Sequence, residues 1–372
     1  MRARRAGHGF SKQVGQLLVI GFDGTAVTPH LRRLLEQVQP AGVILFARNI
    51  VDAQQTHQLL HDCRMAVKVP LFTCVDMEGG LVDRLREVFG PTPAAAEVFA
   101  SGDERLFGTH GRVVGQACHA IGFNVDLAPV VDLALPTSQA VMRTRAVSAD
   151  PEQVVLYAQR FLHGLRQEGV WGALKHFPGL GEANLDTHEE LPQVDKSYER
   201  LWAEDLVPYR LLRRQTAFVL VGHANYPAVT RDVLPASLSG HWISDILREQ
   251  IEYRGLVISD DLEMGAVLKT MPIEEAAVGH IEAGGDLCLI CHSEENVLRA
   301  YDALRRRVAT DAEFAERVEE SARRVLALKR RWQAAERKTL VPSAAKVRRL
   351  SRQLWEFSER VRLATIPEQG EA

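Results

Sequence analysis

The chain has 372 residues, of which 46% are hydrophobic and 25% are charged. This composition is typical of a globular protein and excludes a long disordered chain. Its 45 Lys and Arg residues are offset by 48 Asp and Glu residues, and the formal net charge of −3 weighs against a nucleic-acid-binding protein driven by bulk charge.

We expect no export signal at the start of the chain. Residues 1–9 are basic, but the apolar run that follows at 17–22 is short and reads as a first core strand. No stretch approaches the roughly 18 apolar residues of a membrane span. The cysteines number 5, an odd count that argues against a secreted disulfide framework. We therefore expect a cytoplasmic protein without a membrane span.

Short apolar, β-branched runs alternate with longer amphipathic stretches. The runs that predict strands cover residues 16–21, 42–47, 70–75, 124–132, 172–176, 217–223, 255–260 and 286–291. The stretches that predict helices cover residues 29–37, 52–67, 151–169, 198–213, 239–253, 273–284 and 294–308. This alternation predicts an α/β protein with a parallel sheet and crossover helices.

Eight predicted strands favour a closed (β/α)8 barrel of the TIM type, with an open doubly wound sheet as the structural alternative. No Pro-, Gly- or Ser-rich linker divides the chain before about residue 335. We therefore predict one barrel domain over residues 1–335 and a helical C-terminal tail over 336–372 that packs on the barrel. A contact of the tail with a partner or a membrane surface is the alternative.

Ionisable residues lie where the predicted strands end. These positions are Asp76, Asp132, Lys175, His176, His223, Asp260 and Asp261. In a barrel, functional groups collect at the carboxyl ends of the strands. Five strand ends that carry such groups are better explained by a site than by a structural network.

The loop after the fifth predicted strand holds a candidate acid/base pair. Residues 175–188 read KHFPGLGEANLDTH, and the Gly and Pro residues predict a loop rather than a helix. Asp186 and His188 lie two apart, so in an extended loop their side chains point the same way. The carboxylate can then orient the imidazole and raise its pKa, which suits general acid/base catalysis.

With these residues the chain resembles glycoside hydrolase family 3, in particular its NagZ-type β-N-acetylglucosaminidases of bacterial cell-wall recycling. The family motif KHFPGHG, four residues, then DSH is matched by KHFPGLG, EANL and DTH. The motif VDQEGGRVxR is matched by residues 75–84, VDMEGGLVDR, and SDDLxM by residues 259–264, SDDLEM. The resemblance runs from about residue 14 to 292, in order and at family spacing.

The resemblance implies a role for each matching residue. Asp260 matches the nucleophile that forms a covalent glycosyl-enzyme. His188 matches the acid that protonates the leaving oxygen, and Asp186 matches its partner. The remaining matches are at sugar-binding positions: Asp76, Arg84, Arg145, Lys175 and His176.

The implied function is a retaining exo-β-N-acetylglucosaminidase that acts on small saccharides derived from muropeptides. We expect no cofactor, no metal, no nucleic acid and a monomer. The sequence departs from the family pattern at Leu180 in place of His, Leu81 in place of Arg and Thr187 in place of Ser. These departures leave the exact sugar and leaving group open.

Several alternatives keep the barrel and change the chemistry. A β-glucosidase would differ only in sugar preference. A glycoside phosphorylase would use phosphate as acceptor, because a neutral imidazole does not repel that anion. A metal-dependent hydrolase would use His176, His188, His223 and Asp260 as ligands. An inactive sugar-binding barrel is the alternative that is not an enzyme.

Overall fold

The computed structural model describes residues 13–183, 191–231, 233–335 and 339–366. The strands are β1 (Leu18–Ile20), β2 (Gly42–Ile44), β3 (Phe72–Val75), β4 (Met77–Gly79), β5 (Val82–Asp83), β6 (Val125–Asp126), β7 (Trp171–Phe177), β8 (Phe218–Val221), β9 (Leu256–Asp261) and β10 (Leu287–Ile290). Strands β4 and β5 form a small antiparallel hairpin, and the other eight form the main sheet.

Helices surround this sheet. They are α1 (Pro29–Val38), α2 (Ala53–Met65), α3 (Arg86–Phe89), α4 (Ala95–Ala100), α5 (Glu104–Ile121), α6 (Gln139–Met142), α7 (Pro151–Gln167), α8 (Tyr198–Ala203), α9 (Val207–Leu212), α10 (Gly265–Leu268), α11 (Ile273–Glu282), α12 (Glu294–Thr310), α13 (Ala312–Ala335) and α14 (Ala344–Ala364). A π-helix covers His241–Gln250, and 3-10 turns cover Val14–Leu17, Ala47–Asn49, Pro136–Ser138, Arg143–Arg145 and Ala236–Leu238.

The main sheet closes on itself. Its strands follow one another around the barrel in the order β1, β2, β3, β6, β7, β8, β9 and β10, and β10 pairs with β1. All eight pairings are parallel, with Val19 of β1 opposite Gly42 of β2 and Leu289 of β10. The predicted (β/α)8 barrel is confirmed, and the open sheet is wrong.

The helix starts follow local side-chain chemistry. The hydroxyl of Thr28 accepts a hydrogen bond from the amide of Leu31 at the start of α1, and the Asp150 carboxylate caps α7 in the same way. Both caps are followed by Pro at the first helical position, where its missing N–H costs nothing. These two helices lie where the sequence predicted them.

Helix α5 was not among the predicted helices. It contains Gly108, Gly111 and Gly115, and glycine in a helix interior lowers helix propensity by about 1 kcal/mol. The structure gives the reason for one of them. A Cβ on Gly111 would lie 2.0 Å from the backbone oxygen of Phe161 in α7. Close packing of α5 on α7 therefore outweighs the weak local propensity.

Helix α13 closes the end of the barrel at which the strands begin. Val325 and Leu328 join the apolar side chains that fill the barrel interior. Lys329 is buried beside them, and its ammonium group donates to Oε1 of Gln16 over a distance of 2.7 Å. Burial lowers the pKa of Lys329 to about 7. Helix α13 therefore packs across the end of the barrel core and is not only part of the outer ring of helices.

Helix α14 carries the apolar face that its sequence pattern indicated. Leu350, Leu354, Phe357 and Val361 are buried, and the ring of Phe357 stacks on His110 of α5 at 5.5 Å between centroids. The helix also contacts α3 and α4. The division of the chain at residue 335 stays a prediction. Among the described residues, no helix is both long and apolar enough to cross a membrane.

Candidate active site

A cleft of about 240 Å³ opens at the carboxyl ends of the barrel strands. Six of the residues predicted for the site line it: Asp76, Arg84, Arg145, Lys175, His176 and Asp260. The other two, Asp186 and His188, lie outside the described residues. These six residues therefore converge on one cleft, whereas the strand-end residues Asp132 and His223 do not line it.

The floor of the cleft is a network of opposite charges. The ammonium group of Lys175, on β7, lies 2.9 Å from Oδ1 of Asp76 and 2.5 Å from Oε1 of Glu78. Arg145 donates to both oxygens of Glu78, from Nε at 2.7 Å and Nη2 at 2.8 Å. Such forked pairs fix the plane of the guanidinium group. The two cations are therefore held in defined positions before any ligand arrives.

Burial and charge act against each other in this network. Burial alone would raise the pKa of Glu78, but the adjacent Arg145 and Lys175 hold it well below its usual range. Burial alone would lower the pKa of Lys175, but the carboxylates of Asp76 and Glu78 raise it. The neighbours decide the outcome in both cases, so Glu78 and Lys175 are both charged near neutral pH.

His176 is oriented by a second carboxylate. Its Nδ1 lies 2.6 Å from Oδ2 of Asp132, which is itself buried. A carboxylate accepts hydrogen bonds, so this contact places the ring proton on Nδ1, and Nε2 lies 3.4 Å from Nη2 of Arg145 as an acceptor. Oδ1 of Asp132 also accepts from the backbone amide of Leu180 at 2.7 Å, which anchors the loop after β7.

Asp260 lies near the carboxyl end of β9, at the wall of the cleft. One of its oxygens, Oδ1, accepts a hydrogen bond from the amide of Asp261 at 2.9 Å. Burial raises the pKa of Asp260, but His176, His223, this amide and Lys175 together shift it below its usual value. The side chain is therefore ionised at neutral pH, as a carboxylate nucleophile must be.

Four groups in or beside the cleft were not assigned to the predicted site, although Asp132 was noted at a strand end. Glu78 and Asp132 orient the predicted residues, as described above. Phe46 and His292 line the cleft and stack at 5.8 Å between ring centroids. The signal for Glu78 was its position two residues after Asp76, and for Asp132 its position at a strand end. No sequence feature assigned Phe46 or His292 to the site.

The two leucine departures lie in different surroundings. Leu180 is buried and lines the cleft, whereas Leu81 is 54% exposed and is not among the residues that line it. Substrate contacts can therefore depend on Leu180 and not directly on Leu81.

One proposed histidine ligand of a metal hydrolase, His223, is already engaged at both ring nitrogens. Nδ1 of His223 lies 2.7 Å from the hydroxyl of Ser237, and its Nε2 lies 2.9 Å from the backbone oxygen of Asp261. With both ring nitrogens in hydrogen bonds, His223 has no lone pair directed at an ion. Within the described ranges, no group of three or more His, Cys, Asp or Glu side chains is arranged to hold a metal ion.

A parallel barrel that gathers an ionised carboxylate and fixed cations at the carboxyl ends of its strands has the arrangement of an enzyme active site. Residues 10–328 match the glycosyl hydrolase family 3 N-terminal domain. The chain therefore belongs to glycoside hydrolase family 3, and it is a glycoside hydrolase. The family resemblance identified from the sequence motifs is confirmed.

Named relatives support the same assignment. The chain is 32% identical to a beta-hexosaminidase of Idiomarina loihiensis over 86% of its own length and 98% of the relative. It is 36% identical to a beta-hexosaminidase of Alkalilimnicola ehrlichii over 75% of its own length and 82% of the relative. A family 3 beta-N-acetylglucosaminidase from Paenibacillus sp. superposes with a TM-score of 0.86 at 31% identity, covering 94% of this chain and 68% of that one.

Replacing Glu78 by Gln tests whether this carboxylate holds the floor together. The variant leaves two buried cations with the single carboxylate of Asp76. Breaking a buried pair in this way costs about 3–5 kcal/mol, so we expect a corresponding drop in the free energy of unfolding in urea at pH 7. Glu87→Gln is the matched control, because Glu87 is exposed and should change stability by less than about 0.5 kcal/mol.

The pH dependence of the free energy of unfolding gives a second test of the same variant. The folded pKa of Glu78 is lowered, so its contribution is complete above the unfolded value of about 4.3 and is lost as the pH falls further. The stability gap between wild type and Glu78→Gln should therefore narrow below about pH 4.3. A gap that stays constant with pH, or an equal loss in Glu87→Gln, contradicts the role assigned to Glu78.

Proposed function

We propose that the protein is a retaining exo-β-N-acetylglucosaminidase. It removes terminal N-acetylglucosamine from β-linked saccharides in the cytoplasm. Muropeptide-derived sugars are the proposed substrate class, and the protein acts as a monomer with no partner beyond this saccharide substrate. The observation that carries the proposal is the ionised carboxylate of Asp260 in a cleft whose donors are already in place. The names of the relatives reported above support the choice of sugar.

Asp260 is the nucleophile in this proposal. Since Oδ1 accepts the amide of Asp261, we assign Oδ2 to the attack on the anomeric carbon. The new bond joins that oxygen to the sugar, and the bond from the anomeric carbon to the leaving oxygen breaks. Water then attacks the anomeric carbon, and the carboxylate leaves with its charge restored. Two displacements at one carbon retain its configuration.

The proton transfers require an acid that becomes a base, and we assign this role to His188 with Asp186 as its partner. His188 gives its proton to the leaving oxygen in the first step and takes one from water in the second. This assignment follows the family motif, since both residues lie outside the described ranges. Gly179 supports the backbone turn that leads toward them, because its φ is +138° and a Cβ there would lie 2.7 Å from Cβ of Asp205.

The cations and His176 are assigned to holding the sugar. Lys175 has three N–H donors and uses two on Asp76 and Glu78, so one remains for a hydroxyl group. Arg145 uses Nε and one Nη2 hydrogen on Glu78 and keeps the Nη1 donors. Asp76 can accept a hydroxyl proton, and Arg84 on the wall can donate one. These groups do not need to reorganise when the substrate binds.

The size of the cleft supports removal of a single terminal sugar. Its volume of about 240 Å³ is below the range of roughly 300–1,000 Å³ common for drug-sized ligands. One sugar ring fills a space of that size, and the rest of the saccharide must lie outside. We therefore assign exo rather than endo action to the site.

The first experiment compares an aryl β-N-acetylglucosaminide with the matching aryl β-glucoside, each with and without added phosphate. We expect preferential hydrolysis of the N-acetyl sugar with no dependence on phosphate. A phosphate requirement with sugar 1-phosphate as product would replace the hydrolase by a phosphorylase. Preference for the glucoside would keep the mechanism and overturn the substrate. Sugar binding without turnover of either compound would support the inactive binding barrel.

Asp260→Asn and Asp261→Asn distinguish the two neighbouring carboxylates. Losing the nucleophile should lower kcat on the order of 10³-fold or more, with the fold unchanged by circular dichroism. Asp261→Asn retains the Oδ1 acceptor for the amides of Glu263 and Cys291, so its loss should be much smaller. Equal losses in the two variants would refute the assignment of Asp260.

His188→Ala tests the acid. An activated aryl leaving group needs little protonation, whereas a sugar or alkyl leaving group needs a full proton. The variant should therefore lose far more activity on a disaccharide than on a nitrophenyl glycoside, as measured by kcat/KM for each. Equal losses for both substrates would remove His188 from the role of acid.

A further inference from the structure

A second cleft lies at the opposite end of the barrel, where the strands begin. Its volume is about 620 Å³, larger than that of the catalytic cleft. It is bounded by Trp171 at the start of β7, by the segments that precede β8 and β9, and by one side of α13. We call it the basal cleft. It shares no lining residue with the catalytic cleft.

The basal cleft concentrates positive charge in a chain that is acidic overall. Its lining includes the guanidinium groups of Arg166, Arg213, Arg214, Arg254, Arg324 and Arg331. Glu252 is the single acidic residue in the same lining, although the whole chain has more acidic than basic residues. A cleft lined by one sign of charge focuses the field and raises the local concentration of counter-ions.

Most of this charge is not neutralised by the protein. Arg324 pairs with Asp286, with Nη1 2.6 Å from Oδ1. Within the residues that the structure describes, the other five arginines form no ion pair. Two of them donate to backbone oxygens, Arg213 to that of Arg210 and Arg254 to that of Arg248. Such bonds position the guanidinium groups and leave their charge available to a ligand.

The chemistry of the lining selects a ligand with several anionic oxygens. Planar guanidinium groups match phosphate oxygens in pairs, and several such groups around one cleft suit a polyphosphate rather than a single anion. The volume lies within the range that encloses a small organic molecule. The ring of Trp171, with Cζ of Arg331 6.0 Å from its centroid, offers an apolar surface beside the charges.

We propose that the basal cleft is a binding site for the polyphosphate group of a small phosphate ester, of the chemical class of nucleoside di- and triphosphates. Arg166, Arg214 and Arg331 are exposed and contact the phosphates. Arg213 and Arg254, held by backbone oxygens, set the shape of the site. The site is separate from glycoside hydrolysis, so the proposal does not depend on the function assigned to the catalytic cleft.

Isothermal titration calorimetry of the full chain with ATP, tripolyphosphate and adenosine, at about physiological salt, tests the proposal. ATP and tripolyphosphate should bind, and adenosine should not. Arg214→Gln and Arg331→Gln should each weaken ATP binding about tenfold or more, since a hydrogen bond to a charged group contributes about 1.5–3 kcal/mol. Hydrolysis of the aryl glycoside by both variants should equal that of wild type, which shows that they fold.

Arg330→Gln is the matched control. Arg330 is an exposed neighbour of Arg331 on α13 and does not line the cleft, so this variant makes the same change in net charge. It should alter ATP binding less than twofold. An equal loss in Arg330→Gln, no binding of ATP at millimolar concentration, or tighter binding of a single-stranded oligonucleotide that the cleft variants abolish would each overturn the proposal.

Discussion

The carboxylate of Glu78 between Arg145 and Lys175 is the interaction on which the rest of the cleft depends. Two cations cannot remain charged in a buried place without a partner, because the loss of hydration costs several kcal/mol for each. Glu78 offsets this cost for both at once, through contacts of 2.5–2.8 Å. The cations can therefore direct their remaining donors at a ligand, which is the form of preorganisation that catalysis requires.

The barrel explains how groups distant in sequence come to surround one small cleft. Lys175 lies on β7, Asp76 directly follows β3, and Asp260 lies on β9. Around the barrel, β6 separates β3 from β7, and β8 separates β7 from β9. Because these strands are not adjacent, their side chains enter the cleft from different sides. The charge network links Asp76 after β3 to Lys175 on β7, across β6. The carboxylate of Asp260 on β9 faces this network from the far side of β8.

The sequence predicted the strands well because β-branched runs that end in ionisable groups are a strong local signal. The packing of helices against each other and the pairing of distant side chains left no comparable signal in the sequence. Helix α5 carries three glycines that argue against a helix unless the approach of α7 is known. The stretch 198–213 predicted one helix, and the structure has two, α8 and α9. The pairing of Glu78 with Arg145 joins a hairpin to a distant 3-10 turn, and no sequence spacing predicts it.

The site, like the fold, could be predicted only in part from the sequence. The motif spacing identified six of the residues that line the cleft, because the family pattern fixes their types and order. It did not identify Asp132, whose role becomes visible only when its oxygens are seen to hold His176 and the amide of Leu180. The contact with the Leu180 amide bears on the substitution of Leu for His at position 180. A backbone hydrogen bond does not depend on the side chain at that position.

The amide of residue 180 can make this bond with either Leu or His at that position, and the side chain of Leu180 faces the wall of the cleft. Leu180, Val141 and Met142 all line that wall. A bond of 3.2 Å from the hydroxyl of Thr137 to the backbone oxygen of Gly181 links their two segments. An apolar wall offers no hydrogen bond to a sugar hydroxyl, and leaving such a group unpaired costs about 1–3 kcal/mol. The same wall accommodates a methyl group favourably. Position 180 thus presents an apolar surface to the cleft, while Arg145, Lys175 and Glu78 beside it keep their contacts.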